Sequence, residues 1–389
     1  MPNRVLFVDD EPLFREYYTR LSSKLGDDYE VITAKTGADG LKALEEADFD
    51  VVVSDLDMPK MSGAEFLTTV ERLHPETMRM VISGHIEQLA VARCLMYGHR
   101  YLQKPLSSNF SETLKRVCRL KQAVRNDKLK KIIGGTSALP TPPETYLRLT
   151  EALQSPDASL EDFADIIRAD GALTAKLLQI VNSAQFGLPR QITTAFEAIQ
   201  ITGLEVLRAL MLSLQTLQKY EGKHLQSLYL PALWKHSLDT AVAVRKLAKC
   251  EGLDFGHCEE FFVSGLLHDI GKLILAAHSD KQYKIVTQRS AAENIPIHLL
   301  EQEVFGATHA DVGAYLLGLW GLPESIVRCV QMHHSLVTIE PGEFSVVVAI
   351  YAAQCLQRSP NGLQPIDEKF FERIGFRDRV DAWREALGN

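Results

Sequence analysis

The first 107 residues alternate between short β-rich runs and amphipathic stretches, and this alternation limits the folds that the chain can adopt. The β-rich runs cover residues 5–8, 30–33, 51–54, 80–83 and 101–102, and the helical stretches cover 13–25, 38–47, 65–73 and 89–97. Strands that alternate with helices of this length favour a parallel sheet with helices on both faces. The sequence therefore predicts a doubly wound, five-stranded α/β domain with any site at the carboxyl ends of its strands.

A long basic helical stretch follows over residues 108–135 and ends in a segment rich in glycine and proline. Because these two residues interrupt helices, we place the domain boundary in that segment. Apolar faces at helical spacing then recur over 204–218, 233–249, 261–270, 297–305, 312–320, 324–333 and 346–356. We predict a first domain over 1–122, a linker helix over 108–135, and an all-α domain with a C-terminal helical extension over 136–389.

The composition narrows the class of protein and its compartment. The formal net charge is −8, so no overall basic excess indicates nucleic acid as a partner. No apolar run approaches the roughly 20 residues of a membrane span, and the run at 5–8 is too short for a signal-peptide core. The six cysteines form no C-x-x-C pair, which indicates core residues in a reducing compartment. We predict a cytoplasmic protein with no membrane partner.

Charged and polar residues stand at the ends of four predicted strands. Asp9 and Asp10 follow the first strand, Asp55 follows the third, Ser83 ends the fourth and Lys104 follows the fifth. Three carboxylates at one edge of a sheet repel one another unless a cation binds, and their hard oxygen atoms suit Mg²⁺. Such a set could hold a phosphoryl group on a carboxylate. The alternative is that the aspartates cap the next helix and the lysine is a surface residue.

With these residues at these strand ends, residues 3–122 resemble the receiver domain of two-component response regulators. The resemblance implies a flavodoxin-like fold in which Asp55 is the phosphoacceptor. It also implies that Asp10, Asp55 and the backbone carbonyl of Asp57 bind Mg²⁺, with Asp9 nearby in the pocket.

The resemblance implies three further roles and one partner. Ser83 matches the switch hydroxyl, Lys104 the phosphate-binding lysine and Tyr101 the aromatic switch. The phosphoryl group would come from a histidine kinase or a phosphotransfer protein and would later be lost by hydrolysis. Phosphorylation of this kind shifts an equilibrium between two arrangements of the output face.

The basic linker helix has three interpretations. We favour a solvated face that joins the two domains. A dimerising helix is the second, which would make the protein a homodimer, although an apolar stripe of two or three turns is marginal for a coiled coil. A nucleic-acid patch is the third, but no helix-turn-helix pattern follows, so nucleic acid is not an expected partner.

Five histidines and one aspartate of the helical domain could together bind a metal ion: His236, His268, Asp269, His309, His333 and His334. A vicinal His-Asp pair at a helix end can offer one metal both a nitrogen and an oxygen ligand. A histidine from a second helix would add a third ligand and leave positions open for water and phosphate. The alternative is that each histidine is hydrogen-bonded inside a helical core.

As a set these residues resemble the HD superfamily, whose members bind divalent metal. The stretch from 139 to about 335 resembles its HDOD branch, through L-P-T-P-P at 139–143, L-T-A-K-L-L at 173–178, V-N-S-A at 181–184 and W-G-L-P at 320–323. The resemblance implies a relative of HD hydrolases without demonstrated catalysis, which acts in signalling.

Two positions depart from an active HD hydrolase. The helix at 346–356 contains no carboxylate where the closing aspartate is expected, and Ala232 stands where related cyclic-dinucleotide phosphodiesterases have an acid. The loss of an anionic ligand weakens a metal site. We therefore expect a non-catalytic output domain that binds a downstream signalling protein. The alternative is a phosphohydrolase that acts on a nucleotide or cyclic dinucleotide with a divalent transition metal.

Overall fold

The structure is a computed structural model that describes residues 2–74, 77–83, 100–104, 110–111, 114–115, 117–118, 143–153, 155, 157–183, 191–221, 225, 227–335, 339, 341–356 and 368–388. The chain forms two compact units, the first of Met1–Thr141 with Tyr315–Leu322 and the second of Pro142–Ala314 with Pro323–Asn389. For simplicity, the helix that contains Tyr315 is described with the second unit. The helix predicted at 89–97 and the linker helix beyond residue 118 lie outside the described residues.

The first unit is built on a parallel sheet in the order β2-β1-β3-β4-β5. Four strands are β1(Asn3–Val8), β2(Tyr29–Ala34), β3(Val51–Asp55) and β4(Met78–Ser83), and β5(Arg100–Gln103), described by its backbone only, pairs with β4. The helices between them are α1(Pro12–Leu25), α2(Gly37–Glu46) and α3(Gly63–Leu73). The predicted α/β class with a parallel sheet is therefore confirmed.

Neighbouring strands at the centre of the sheet bring the functional side chains together. β1 and β3 are buried along almost their whole length, which explains why both are continuous apolar runs and not alternating ones. Val8 of β1 is in register with Ser54 of β3. The next residues, Asp9 and Asp55, therefore leave the sheet side by side at its carboxyl edge.

In its described residues the second unit is helical, as the sequence predicts. Its helices are α4(Glu144–Ala152), α5(Leu160–Arg168), α6(Gly171–Val181), α7(Ala195–Thr202), α8(Leu204–Glu221), α9(Leu230–Cys250), α10(Phe255–Leu267), α11(Ile270–His278), α12(Asp280–Glu293), α13(Ile297–Phe305), α14(His309–Leu319), α15(Glu324–Met332), α16(Val346–Leu356), α17(Glu368–Arg373) and α18(Val380–Leu387).

Two differences from the sequence prediction bear on the histidine residues of this unit. The stretch predicted as one helix over 261–270 is interrupted, because α10 ends before His268 and α11 begins after Asp269. The apolar pattern continues through this break, so periodicity alone does not reveal it. α12 was missed because Tyr283 and Val286 are its only buried residues, which leaves too narrow an apolar stripe to detect.

One helical stretch of the described chain, residues 255–278, is long and apolar enough to cross a membrane. It consists of α10 and α11, and 83% of its apolar window is buried inside the protein. Such burial is typical of core helices. A separate core forms where α16 packs with Phe371 and Trp383.

Glu259 of α10 makes the stability of the protein depend on pH. It is 9% exposed, and its Oε1 atom has no hydrogen-bond partner. Burial raises its pKa from 4.5 to about 7, although Arg245 partly opposes the shift. The folded state favours the protonated acid. The contribution of Glu259 to the free energy of unfolding is therefore fully present below pH 4.5 and is lost as the pH rises through 7. The loss is about 3 kcal/mol.

We therefore expect Glu259→Gln to unfold at higher urea concentration than the unmodified protein at pH 8 and at nearly the same concentration near pH 4.5. Urea unfolding followed by circular dichroism at both pH values measures this difference. Glu260→Gln, one residue along the same helix, is the control. A stabilisation by Glu259→Gln of equal size at both pH values would contradict the expected ionisation of this side chain.

Candidate functional site

The first candidate site lies at the carboxyl edge of the sheet, as the sequence predicts. Asp55 is the last residue of β3 and is 5% exposed, while Asp9 directly follows β1 and is fully buried. α3 approaches this edge closely, since a Cβ atom on Gly63 would lie 1.9 Å from the carbonyl oxygen of Asp55. Only glycine permits this close approach between the start of α3 and the backbone of Asp55.

Lys104 joins the acidic residues of the pocket. Its Nζ atom lies 2.5 Å from Asp55 Oδ2, 3.0 Å from Asp9 Oδ2 and 3.5 Å from Glu11 Oε1. Nζ also lies 3.8 Å from the centre of the Phe14 ring. Burial alone would lower the pKa of Lys104, but hydrogen bonds to Asp55 and Asp9 outweigh it and raise that pKa. The lysine therefore stays charged and neutralises part of the negative pocket.

The structure changes the set of carboxylates that could hold a cation. Among the described residues of this unit, Asp9, Glu11 and Asp55 have oxygen atoms within 4.8 Å of one another, and Asp10 does not belong to this group. The sequence prediction missed Glu11. The exposed Asp57 donates its backbone N–H to Asp55 Oδ1 over 3.4 Å.

Both oxygen atoms of Asp9 already accept hydrogen bonds. Oδ1 accepts from the backbone of Glu11 over 3.0 Å, and Oδ2 accepts from Tyr18 over 3.0 Å as well as from Lys104. Burial raises the pKa of Asp9, although the hydrogen bond from Lys104 partly opposes this. Tyr18 is itself buried and stacks on Phe7 at 4.2 Å, so it holds the carboxylate in a fixed position.

The two predicted switch residues lie on β4 and β5 of the same sheet. Ser83 ends β4, one residue after the partner of Asp55, and Tyr101 lies in β5. Their side chains lie outside the description, so the switch roles of both residues stay predictions.

The second candidate site lies where several helix ends of the second unit meet. His236 lies on α9, His268 and Asp269 separate α10 from α11, and His309 begins α14. His333 and His334 follow α15 directly. The structure therefore brings all six predicted residues together.

Asp269 lies at the centre of this cluster and faces different histidines with its two oxygen atoms. Its Oδ2 lies 3.4 Å from His236 Nε2 and 3.3 Å from His268 Nε2. Its Oδ1 lies 3.2 Å from His309 Nε2 and 4.0 Å from His333 Nε2. The cluster thus divides into two groups that could each hold an ion, one of His236, His268 and Asp269 and the other of His309, His333 and His334.

Three of the histidines are anchored through their Nδ1 atoms. Nδ1 of His268 lies 2.8 Å from the carbonyl of Gly265, Nδ1 of His333 lies 2.6 Å from that of Val330, and Nδ1 of His309 lies 2.6 Å from Glu301 Oε2. A neutral imidazole that donates through Nδ1 carries a free lone pair on Nε2. This anchoring is typical of metal-binding histidines.

The inward-facing nitrogen atoms are close together. His309 Nε2 lies 3.3 Å from His333 Nε2 and 3.0 Å from His334 Nε2. Lone pairs at these distances repel one another unless a proton or a cation lies between them. The fully buried His268 Nε2 makes no hydrogen bond, although Asp269 is near. The donor set therefore fits a divalent transition metal.

Burial decides most of the protonation states in this cluster. It lowers the pKa of His334 to about 2, so this ring is neutral at pH 7. Partial burial also lowers the pKa of His236, although its side chain is 43% exposed. Burial alone would also lower the pKa of His309, but the carboxylate of Glu301 raises it. When no metal is bound, a proton on His309 can therefore lie between the histidine nitrogen atoms and relieve the repulsion of their lone pairs. For Asp269, burial would raise the pKa, but His268 and Lys272 hold it well below its usual range.

The sequence analysis missed the residues that support His309. Glu301 on α13 is fully buried and accepts hydrogen bonds from the backbone N–H of His309 over 2.8 Å and from the hydroxyl of Tyr283 over 3.0 Å. In the sequence, Glu301 is only a glutamate eight residues before a histidine, and its burial is not visible there. Its meaning depends on α12, the helix that was not predicted.

Close packing of two helices places Asp269 beside His309. A Cβ atom on Gly271 would lie 2.0 Å from the backbone oxygen of His309 and 2.7 Å from the nitrogen of Gly313. α11 therefore approaches α14 more closely than a side chain at Gly271 would permit. This contact brings the carboxylate within reach of both groups of histidines.

Comparison with known proteins finds a related family for each of the two domains. A family model of the HDOD domain matches residues 139–336, about half of the chain, and a model of the response regulator receiver domain matches residues 5–116. The crystal structure of an HDOD domain protein with unknown function from Geobacter sulfurreducens has a TM-score of 0.52 and 24% sequence identity. It covers 68% of this chain and 97% of that one, which shows a shared fold.

Two curated relatives match in part. An uncharacterized protein of Treponema pallidum (strain Nichols) is 30% identical over 217 residues, which are 55% of this chain and 41% of the relative. An uncharacterized response regulatory protein of Vibrio cholerae is 33% identical over 105 residues, which are 27% of this chain and 40% of the relative. The matched segments thus span less than half the length of either relative.

Proposed function

This chain belongs to the HDOD family and is a response regulator with an N-terminal receiver domain, and from this premise we propose that Asp55 accepts a phosphoryl group that controls the HDOD domain. The donor would be a histidine kinase or a phosphotransfer protein. The HDOD domain would serve as a signalling output that binds a downstream protein. The cytoplasmic location and a homodimer formed through the linker helix stay predictions.

One contact carries this proposal, the 2.5 Å approach of Lys104 Nζ to Asp55 Oδ2. In the phosphoryl transfer, a carboxylate oxygen of Asp55 forms the new bond to phosphorus while the bond to the donor nitrogen breaks. Lys104 is placed to neutralise the added charge. When bound, Mg²⁺ would further compensate the negative charge. Of the described carboxylates, those of Asp9, Glu11 and Asp55 lie close enough together to hold it.

The experiment for the receiver uses the full chain and acetyl phosphate. We expect one phosphoryl group per chain in the presence of Mg²⁺, detected by intact mass and released by hydroxylamine, as for an acyl phosphate. After chelation of divalent cations the labelling should fall at least tenfold, and added Mg²⁺ should restore it. Labelling that is indifferent to the chelator would contradict the metal-assisted pocket.

The histidine cluster supports a second candidate function, a metal-dependent phosphohydrolase output. The supporting observation is that three anchored histidines direct their Nε2 atoms toward Asp269 in a buried space. A bound metal would supply a Lewis acid for a phosphate ester. Lys272, whose Nζ lies 2.7 Å from Asp269 Oδ2, adds a positive charge at the same place.

Measurement of the metal content of the full chain tests whether the HDOD domain binds a transition metal. We expect at least one equivalent of transition metal in protein purified without chelator. After chelation, added Zn²⁺ or Mn²⁺ should raise the melting temperature, because a ligand at 100 times its Kd stabilises the folded state by about 2.7 kcal/mol. Protein that is free of metal and gains no stability would exclude this function. Hydrolysis of bis(p-nitrophenyl) phosphate by the loaded protein would distinguish a catalytic site from a structural one.

A further inference from the structure

A cavity of about 690 Å³ opens in the HDOD domain between α6, α8 and α9. This volume falls within the range of roughly 300–1,000 Å³ that is typical of small-molecule sites. His236 also lies on α9, two residues beyond Trp234, which lines the cavity. Because two residues correspond to about 200° around a helix, the cavity and the histidine cluster lie on different sides of α9.

The cavity has two apolar walls. α8 contributes Leu214 and Leu217, and α9 contributes Trp234 and Leu238. Three of these side chains are buried and Trp234 is half-buried. Such walls favour an apolar ligand body through the hydrophobic effect.

The third wall, on α6, carries a positive charge and is polar except for Ile180. Lys176, Gln179 and Ser183 follow one another along α6 and just beyond it at spacings of three and four residues, so they line one face. Lys176 is the single charged residue among the described residues that line the cavity. Its ammonium group has three N–H donors, so it can bind the carboxylate of a ligand in addition to any partner within the protein.

A segment that lines the cavity is anchored by a hydrogen bond. Leu228 and Tyr229 line the space, and the neighbouring Ser227 donates its backbone N–H to Asp280 Oδ1 over 2.9 Å. Tyr229 is 74% exposed, so it lies at the rim of the cavity. The anchored segment gives the cavity a defined edge.

We propose that this cavity binds an amphipathic monocarboxylate, with its aliphatic body against α8 and α9 and its carboxylate at Lys176. The apolar walls select the body and the polar row on α6 selects the head group. Binding would be independent of the metal in the histidine cluster and of phosphorylation at Asp55. The failure of either proposed function would therefore leave this inference standing.

Calorimetric titration of the full chain with dodecanoate, below its micelle concentration, tests the proposal. We expect saturable binding of one molecule per chain. Lys176→Met should weaken it about tenfold, because a charge-assisted hydrogen bond is lost while the apolar stem remains. Lys249→Met, on the exposed end of α9, is the matched control and should bind normally.

A second variant and a second probe keep the test decisive. Ile180→Trp should fill the cavity and reduce dodecanoate binding more than tenfold, while circular dichroism shows an unchanged helical content. Dodecyltrimethylammonium, which has the same chain and the opposite charge, should bind at least tenfold more weakly. The proposal is overturned by any one of three results: no saturable binding, equal affinity for the two amphiphiles, or full binding by a folded Ile180→Trp protein.

Discussion

Asp55→Asn should reduce phosphorylation of the full chain by acetyl phosphate to background, a loss of at least 100-fold. The amide keeps the size of the side chain but removes the nucleophilic oxygen, and a neutral group cannot balance the charge of Lys104. Intact mass after incubation with acetyl phosphate and Mg²⁺ measures the effect. This is the larger of the two effects, because no other residue can replace the attacking atom.

The control for this variant is Asp48→Asn, an exposed aspartate of the same domain. It should accept the phosphoryl group as the unmodified protein does. Lys104→Met should retain the acceptor but lose the charge that faces it, so we expect a smaller reduction than for Asp55→Asn. Undiminished labelling of Asp55→Asn would place the acceptor elsewhere and would refute the proposed role of the pocket.

Asp269→Asn should weaken transition-metal binding by the HDOD domain by about 100-fold or more. The carboxylate faces His236 and His268 with one oxygen and His309 with the other, so one substitution affects both groups of ligands. It also removes the anionic charge that makes a divalent ion favourable among neutral histidines. Elemental analysis and a metal titration followed by melting temperature measure the change.

The exposed Asp378→Asn serves as the matched control, since it removes one carboxylate far from the cluster in sequence. Glu301→Gln should have a smaller effect, of about 10- to 100-fold, because it acts through the orientation of His309. If Asp269→Asn remains folded by circular dichroism and retains its full metal content, the central position of the carboxylate has no role in binding.

The two sites were predictable to different degrees. Asp55 and Lys104 were placed correctly because parallel strands end at one edge of a sheet, so a position in the sequence translates directly into a position in space. The same argument did not distinguish Asp10 from Glu11. Which of these side chains turns toward Asp55 depends on the conformation of the loop after β1, and no pattern in the sequence reports it.

The histidine cluster was predictable as a set of residues but not as a geometry. The vicinal pair at 268 and 269 suggested ligands, yet the apolar pattern hid the break between α10 and α11 at that point. Glu301 and Tyr283 gave no periodic signal, since they matter only because α12 and α13 fold against the start of α14. Their contribution to His309 depends on contacts between helices.

By itself, the sequence determined the α/β class of the first domain, the helical class of the second and the residues that stand at strand and helix ends. These properties follow from the backbone, whose regular geometry imposes a period on the buried residues. Only the tertiary structure decided that Asp269 lies between two groups of histidines and that Lys104 contacts both Asp9 and Asp55. Such contacts join residues far apart in the chain, and they depend on close packing at positions such as Gly271, where a single added carbon atom would separate the partners.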